Sequence, residues 1–342
     1  MIPGIFIEIW GWGKWRIERS SFTLLLLLLF FILYLLIAIL EGRNSVIYFG
    51  YAITMLYNVY FCFIVKRKPG YFNDFMKWFL IINTVYVFLQ LVFLNFGLQN
   101  LAMVHTNLPG QNDYTVPVFI TRPFYRFTGL FNESAPFAFY LSIAYVFFIS
   151  QGKKYKPYKL IALILLVLSG SKGGYLFLTM HFMFFSRSYF IKAMFSFLVL
   201  LVTYASFFDL SILISMFPGG YSSWMVRFNI LVNSLFLRQW TLFGTNLYST
   251  SGADLQSVTG SAIGLDFFSI FPVGFGYIGF FIFIFLILML FVQIKSKSKR
   301  LFVLPLIIGA LSSGSLLNVQ YSIVFGCLFY LHAKSKRGFI FS

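Results

Sequence analysis

The sequence predicts an all-α fold, a polytopic membrane bundle of about ten transmembrane helices with two long external loops, forming a single transmembrane domain over residues 1–342. Three observations lead to this prediction. Hydrophobic residues make up 60% of the chain and charged residues only 10%, whereas soluble proteins carry about 25% charged residues. Apolar runs of spanning length recur along the whole chain. The lysines and arginines concentrate in alternate connections between these runs.

Each span is an apolar run that ends at charged residues, glycine or proline. The predicted spans cover residues 22–40, 45–65, 77–97, 134–150, 158–171, 173–186, 190–208, 272–293, 301–312 and 316–332. Because these spans and their loops account for nearly all residues, the length leaves no room for a separate soluble domain such as a kinase or nucleotide-binding domain.

The orientation follows from the distribution of positive charge. If the N-terminus is cytoplasmic, 20 of the 26 lysines and arginines fall in the six cytoplasmic segments, as the positive-inside rule requires. We therefore expect both termini in the cytoplasm. The net charge of +17 is then a signal of orientation in the membrane. The expected partners of this charge are membrane lipids and not a nucleic acid.

Six cations lie on the external side against this bias and need another explanation: Arg43, Arg122, Arg126, Lys172, Arg227 and Arg238. Four external acids share two long loops, at about 98–133 and 209–271: Asp113, Glu133, Asp254 and Asp266. Charged loops beside an apolar bundle are where a binding or catalytic site is built.

Metal and redox chemistry are not expected. Cys62 and Cys327 fall inside apolar runs and do not form a ligand-spaced pair, so we expect no disulfide framework, no zinc and no cofactor. His105 is the one external histidine, and no second histidine or carboxylate stands at ligand spacing from it. His181 lies within a span, where we expect it to pack between helices.

The first candidate motif runs from Arg122 to Pro136 and contains Arg126, Gly129 and Glu133. If Pro123 opens a short helix, both guanidinium groups lie on one face, where they suit bidentate recognition of phosphate. Glu133 then accepts a proton or simply pairs with Arg126. An Arg–Glu pair that ties the loop to a helix end is an equal alternative.

The second motif is the run Ser169-Gly-Ser-Lys172-Gly-Gly174, a turn between two apolar runs at the external surface. Backbone donors at a helix N-terminus and one lysine can hold an anion there. The GxxxxGK[ST] spacing of a nucleotide-binding loop is absent. A plain hairpin turn whose lysine reaches the membrane surface is the alternative.

The long external loop at about 209–271 contains the third set of candidate residues. Residues 223–237 read as an interfacial helix, and Arg227 and Arg238 share its face at an axial separation of about 16 Å. One diphosphate cannot bridge this distance, so either the helix breaks between the two arginines or each arginine binds a different phosphate group. Contact with anionic lipid headgroups is the alternative. Asp266 directly precedes the next span and is a candidate general base, with a helix-end acid as the alternative.

The order of these motifs resembles that of the bacterial O-antigen polymerase (Wzy) and O-antigen ligase superfamily. The resemblance rests on Arg126-Phe-Thr-Gly-Leu-Phe-Asn-Glu133, on Ser169 to Gly174, on Arg227 in a large external loop, on Phe243-Gly244-Thr-Asn, and on Gly274 to Gly279. It implies a metal-independent glycosyltransferase of the bacterial inner membrane that uses undecaprenyl-diphosphate-linked oligosaccharides as donor and acceptor, with a chain-length regulator protein as a candidate partner.

Two departures from the family pattern refine this expectation. Ligases have a histidine in the late external loop, whereas this chain has Asp266 in that region and no histidine in the loop, which favours a polymerase. The Glu-Pro that usually follows Gly-Leu-Phe is Glu133-Ser-Ala-Pro136 here. The chain is also short for the family.

We expect a general base, Asp266 or Glu133, to deprotonate the acceptor hydroxyl. The cations then hold the diphosphate and stabilise the charge that develops as it leaves: Arg122, Arg126, Lys172, Arg227 and Arg238. A lipid-linked oligosaccharide flippase is the alternative from another class. A translocation path would place ionisable groups at bilayer depth, whereas the charged residues here lie near span ends or in loops.

Overall fold

The computed structural model describes residues 19–43, 45–98, 120–121, 124–125, 127–131, 134–186, 188–197, 242–244, 267–294, 297–312 and 321–337. Most of these residues are helical. Their helices are α1 (Arg19–Leu40), α2 (Ser45–Arg67), α3 (Pro69–Asn95), α4 (Ser134–Gln151), α5 (Lys156–Leu168), α6 (Lys172–Phe185), α7 (Phe267–Gln293), α8 (Val303–Ser312) and α9 (Tyr321–Arg337). Short 3-10 helices cover Lys153–Tyr155 and Lys297–Phe302, and residues 189–197 are helical.

Within the described part of the chain, five helices contain stretches long and apolar enough to cross a membrane. These stretches are Arg19–Leu40, Tyr48–Arg67, Pro69–Asn95, Ser134–Gln151 and Gly274–Gln293. Each overlaps one of the spans expected from the apolar runs. The helical class and five candidate membrane spans are therefore confirmed, whereas the total of ten spans and the two long loops stay predictions.

Two compact units make up the chain, and the single transmembrane domain over 1–342 stays a prediction. The first unit comprises residues 1–72, 230–299 and 314–342, in which α1 packs against α2 and α7, and α2 packs against α9. Its centre is a cluster of buried aromatic rings. Phe271 and Phe275 stack with ring centroids 4.3 Å apart, and Phe31 meets Phe275 edge to face at 5.7 Å.

The second unit comprises residues 73–229 and 300–313, and α4 is its central helix, packed against α5, α6 and α8. In α4, 72% of the spanning residues are buried, against 28% to 39% in the other four spans. Every residue from Phe137 to Phe148 is buried. This burial agrees with the sequence, because α4 has the lowest mean hydropathy of the five candidate spans, 1.3, and polar and small side chains in a membrane helix face protein rather than lipid.

Several predicted boundaries differ from the helix ends, and two helices begin at least five residues earlier than expected. Helix α3 begins at Pro69 rather than at residue 77, and α7 begins at Phe267 rather than at residue 272. In α3, the added residues include glycine, Asn73 and Asp74, and Lys77 pairs with Asp74 at 2.7 Å one turn away. A hydropathy criterion misses such turns because they continue the helix beyond its apolar part.

The prediction of a short helix that begins at Pro123 is wrong, because Phe124–Tyr125 forms a strand. Residues Ile120–Thr121 and Phe124–Tyr125 form two short antiparallel strands, β1 and β2, with Thr121 opposite Phe124. Two residues separate the strands in the sequence. β-branched and aromatic residues favour strands, and here that preference prevails over the helix-starting preference of proline.

Candidate functional site

Most predicted site residues lie outside the described part of the chain: Arg122, Arg126, Glu133, Arg227, Arg238 and Asp266. Lys172 begins α6, and only its backbone is described. The described segments next to these residues form two candidate sites, one in each unit, and each is described by itself.

The segment Phe127–Phe131 joins Arg126 to the residues before Glu133, and α3 holds it in place. The Gly129 N–H donates to Gln90 Oε1 at 3.2 Å, and the Leu130 N–H donates to Asn83 Oδ1 at 3.2 Å. Gln90 Nε2 also donates to the Thr128 hydroxyl at 3.0 Å. The backbone of the segment is thus hydrogen-bonded to side chains of a membrane-spanning helix.

Asn83 and Gln90 can both reach this segment because they are seven residues apart, which is close to two helical turns. Both side chains are buried, with 2% and 1% of their surface exposed. A buried amide in an apolar span needs hydrogen-bond partners, and such groups join helices and loops within membranes. The two amides therefore fix the position of the segment along α3.

Gly129 allows the segment to lie this close to its neighbours. Its φ of 57° is in the left-handed region, which residues with a Cβ rarely adopt. A Cβ at Gly129 would also lie 2.5 Å from Asn83 Oδ1 and 2.7 Å from the Phe137 ring. Two residues later, Phe131 stacks on Tyr140 of α4 with ring centroids 4.8 Å apart. The segment is thus packed between α3 and α4.

The same segment contacts the second predicted motif. The Phe127 N–H donates to the Leu168 carbonyl at 3.3 Å, directly before the turn Ser169–Gly174. Two motifs that are about forty residues apart in the sequence are therefore neighbours. Sequence alone suggested each motif separately, and this hydrogen bond joins them.

The predicted turn between two apolar helices is confirmed, with α5 ending at Leu168 and α6 beginning at Lys172. Gly170 has a φ of 58°, and the Ser169 hydroxyl donates to the Leu166 carbonyl at 2.7 Å. Ser171 makes no side-chain cap on α6. The first backbone N–H groups of α6 are therefore free of a side-chain cap and can bind an anion.

In the first unit, a segment of the late loop packs against a break in α7. Gly276 interrupts the helix with a φ of 67° and a ψ of −174°. A Cβ on Gly244 would collide with the backbone of Gly274, and the Ile278 N–H donates to the Leu242 carbonyl at 3.2 Å. The two glycine motifs that contribute to the resemblance are thus in backbone contact.

Two tyrosines satisfy the carbonyl groups that this break frees. The Tyr48 hydroxyl donates to the Gly274 carbonyl at 2.8 Å, and the Tyr34 hydroxyl donates to the Phe275 carbonyl at 2.8 Å. Irregular backbone within a membrane span is tolerated only where protein groups satisfy it. The break is therefore a built feature, like the discontinuous helices that line membrane substrate sites.

Residues that sequence reasoning missed share one property. Asn83, Gln90, Tyr34 and Tyr48 are polar side chains inside apolar spans, each bonded to backbone or side chains outside its own helix. The sequence did contain one signal for such residues, because Asn83 and Gln90 are two amides seven residues apart in an apolar span, a spacing that places them on one face of the helix. By contrast, His181 packs as expected, with its ring 5.2 Å from Tyr145 and 5.5 Å from Phe177.

Comparison with known proteins gives no relative for this chain: no family model, curated protein or solved structure matches it.

Proposed function

We propose that this protein polymerises undecaprenyl-diphosphate-linked oligosaccharide repeat units into an O-antigen or capsular-type polysaccharide, as a Wzy-type glycosyltransferase. It does so at the external face of the bacterial cytoplasmic membrane, with ten spans and both termini in the cytoplasm. The observation that carries the proposal is the contact between the segment Phe127–Phe131 and the turn after Leu168. This contact joins the two motifs on which the resemblance chiefly rests.

The contact matters because of what these segments connect. The segment Phe127–Phe131 lies between Arg126 and Glu133 in sequence, and the turn leads into Lys172. A backbone held by Asn83 and Gln90 keeps its orientation while a large substrate binds. In the proposed site, this fixed backbone carries Arg126 directly before it, and a preorganised cation stabilises charge that develops in a transition state. The arrangement thus supports a site for an anionic leaving group.

The chemistry follows from the side of the membrane. Nucleotide-sugars are absent outside the cytoplasmic membrane, so an external glycosyl donor must carry its own leaving group, which a lipid diphosphate provides. The acceptor hydroxyl oxygen attacks the anomeric carbon, and its proton passes to Asp266 or Glu133. The bond between that carbon and the diphosphate oxygen breaks, with inversion, and lipid diphosphate leaves.

Five cations have a role in this step: Arg122, Arg126, Lys172, Arg227 and Arg238. Arginine suits the task because its planar group binds two phosphate oxygens at once. The cations bind the diphosphate in the ground state and more strongly as negative charge grows on the departing oxygen. The carboxylates of Asp266 and Glu133 do not bind the diphosphate and serve in proton transfer. No cofactor takes part.

The test uses purified protein in liposomes with a synthetic undecaprenyl-diphosphate repeat unit and no nucleotide, with and without a metal chelator. We expect a ladder of lipid-linked oligomers in both conditions. Transfer of sugar to a lipid A acceptor without a ladder would instead indicate a ligase. Movement of the intact substrate between leaflets, with no new glycosidic bond, would indicate a flippase and refute the proposal.

A further inference from the structure

Arg43 is the external cation that the proposed chemistry does not use. It lies in the connection between α1 and α2, in the first unit. Only 11% of its side chain is exposed, although the positive-inside rule disfavours a cation on this side. A nearly buried arginine in an unfavourable position needs a structural or functional reason.

The contacts of Arg43 give that reason. Its Nη1 donates to the Phe243 carbonyl at 3.1 Å, and its other terminal nitrogen pairs with Glu41. The guanidinium also interacts electrostatically with Tyr48, whose hydroxyl donates to the Gly274 carbonyl at 2.8 Å. Arg43 therefore binds one side of the contact between Leu242–Gly244 and the break in α7 directly, and the other side through Tyr48.

We propose that Arg43 is a positioning residue that holds the segment Leu242–Gly244 on the break of α7 and so sets the geometry of the late external loop. This role rests on the proposed function, because it acts through Arg238 and Asp266. Arg238 precedes Leu242 by four residues, and four residues of chain reach about 14 Å at most. Asp266 directly precedes α7, and the helix rises about 10 Å from Phe267 to Gly274.

The geometry requires arginine in particular. A guanidinium presents several donors in a fixed fork, so one side chain can bind a carbonyl, a hydroxyl and a carboxylate together. A lysine ammonium at the same position can replace one of these contacts without holding all three in place. We therefore expect a graded series of kcat/KM in which lysine gives a value between those of arginine and of an uncharged side chain.

The experiment compares Arg43→Met and Arg43→Lys with wild-type protein in liposomes. The matched control is Arg19→Met, which removes an exposed arginine from the first unit. For each protein, we would measure the kinetics of ladder formation, the thermal midpoint and amide hydrogen exchange. Exchange at Ile278 reports the contact directly, because its N–H donates to the Leu242 carbonyl.

In Arg43→Met we expect faster exchange at Ile278 and a kcat/KM about tenfold lower, the size of one lost hydrogen bond to a charged donor. The thermal midpoint stays near that of wild-type protein, Arg43→Lys is intermediate, and Arg19→Met is unchanged. A residue with only a structural role would lower the thermal midpoint and the amount of active protein, while the folded fraction keeps the wild-type kcat/KM.

Three results would each overturn the proposal: a wild-type kcat/KM in Arg43→Met, an unchanged rate of exchange at Ile278, or an Arg43→Lys protein that equals Arg43→Met in every readout. If wild-type protein makes no ladder, the proposed function fails, and the effect of Arg43 on activity fails with it. Exchange at Ile278 then still decides whether Arg43 holds the segment.

Discussion

Replacing Gln90 by methionine removes the amide that holds Thr128 and Gly129 while keeping a straight side chain of similar length. In the native protein, the side chain accepts from the Gly129 N–H at 3.2 Å and donates to the Thr128 hydroxyl at 3.0 Å. Gln90 is 1% exposed, so water cannot replace the lost partner without disturbing the packing. The variant tests whether a fixed segment between Arg126 and Glu133 is needed for activity.

The expected magnitude follows from the two lost hydrogen bonds. A buried donor left without a partner costs about 1–3 kcal/mol, and hydrogen bonds inside membrane proteins average about 0.6 kcal/mol with a maximum of about 1.7. Two bonds therefore contribute about 1–3 kcal/mol to holding the segment. Since 1.4 kcal/mol corresponds to a factor of ten, we expect the ratio of held to released segment to fall about tenfold to a hundredfold.

The assay measures initial rates of ladder formation and hydrogen exchange at Gly129 and Leu130. Thr84→Val is the matched control, because the Thr84 hydroxyl donates only within α3, to the Leu80 carbonyl at 2.7 Å. We expect Gln90→Met to lower kcat/KM by about tenfold or more and to speed exchange, while Thr84→Val changes neither. Equal activity of the two variants would refute the reasoning that the segment must be held.

Three further substitutions test the geometry and the chemistry. Gly129→Ala puts a Cβ in the left-handed region, at about 1–2 kcal/mol, and against Phe137, so we expect a lower thermal midpoint and lower activity. Gly276→Ala meets the Gly244 backbone and a conformation that costs about 1–3 kcal/mol, so we expect little folded protein by size-exclusion chromatography. Gly50→Ala is the control for both, because nothing lies near the added Cβ, and a lower midpoint there would contradict this account. Arg227→Ala should abolish polymer formation with normal expression, and undiminished chain growth on a gel would remove Arg227 from the site.

The helices could be predicted from the sequence because apolar runs of sufficient length have few alternatives to a membrane-spanning helix. The same holds for the turn at Ser169–Gly174, where small residues separate two apolar runs. The N-terminal ends of α3 and α7 were predicted less accurately from the sequence. In α3, Asn73 and Asp74 lie in turns that continue the helix before its apolar stretch, as the pair between Asp74 and Lys77 illustrates. In α7, the added residues 267–271 are mostly apolar, so polarity does not account for that difference.

The connections within the candidate site could not be predicted because they depend on pairings between distant residues. A glutamine in an apolar span can bond to its own helix, to another helix or to a loop, and its sequence position does not distinguish these outcomes. Gln90 binds Thr128 and Gly129, thirty-eight and thirty-nine residues away. In the same way, the glycines at 244 and 276 indicate close approach without identifying the partner.

The residues expected to carry the chemistry were selected because they are cations on the external side, which the positive-inside rule disfavours. Their role in the chemistry remains a prediction. The same rule singled out Arg43 together with the proposed phosphate-binding arginines. The structure gives Arg43 a set of contacts that charge alone did not suggest, since its guanidinium binds the Phe243 carbonyl. Charge placement thus identified a residue whose contacts lie in the backbone of another segment.

The most direct test of the central claim is the stoichiometry of the reaction in liposomes containing purified protein and one synthetic lipid-linked repeat unit. Each new glycosidic bond joins two repeats and releases one undecaprenyl diphosphate, so mass spectrometry should find equal amounts of linkages and released lipid diphosphate. A polymerase gives this ratio at every time point. Intact substrate that only changes leaflet, with no lipid diphosphate released, would contradict the claim.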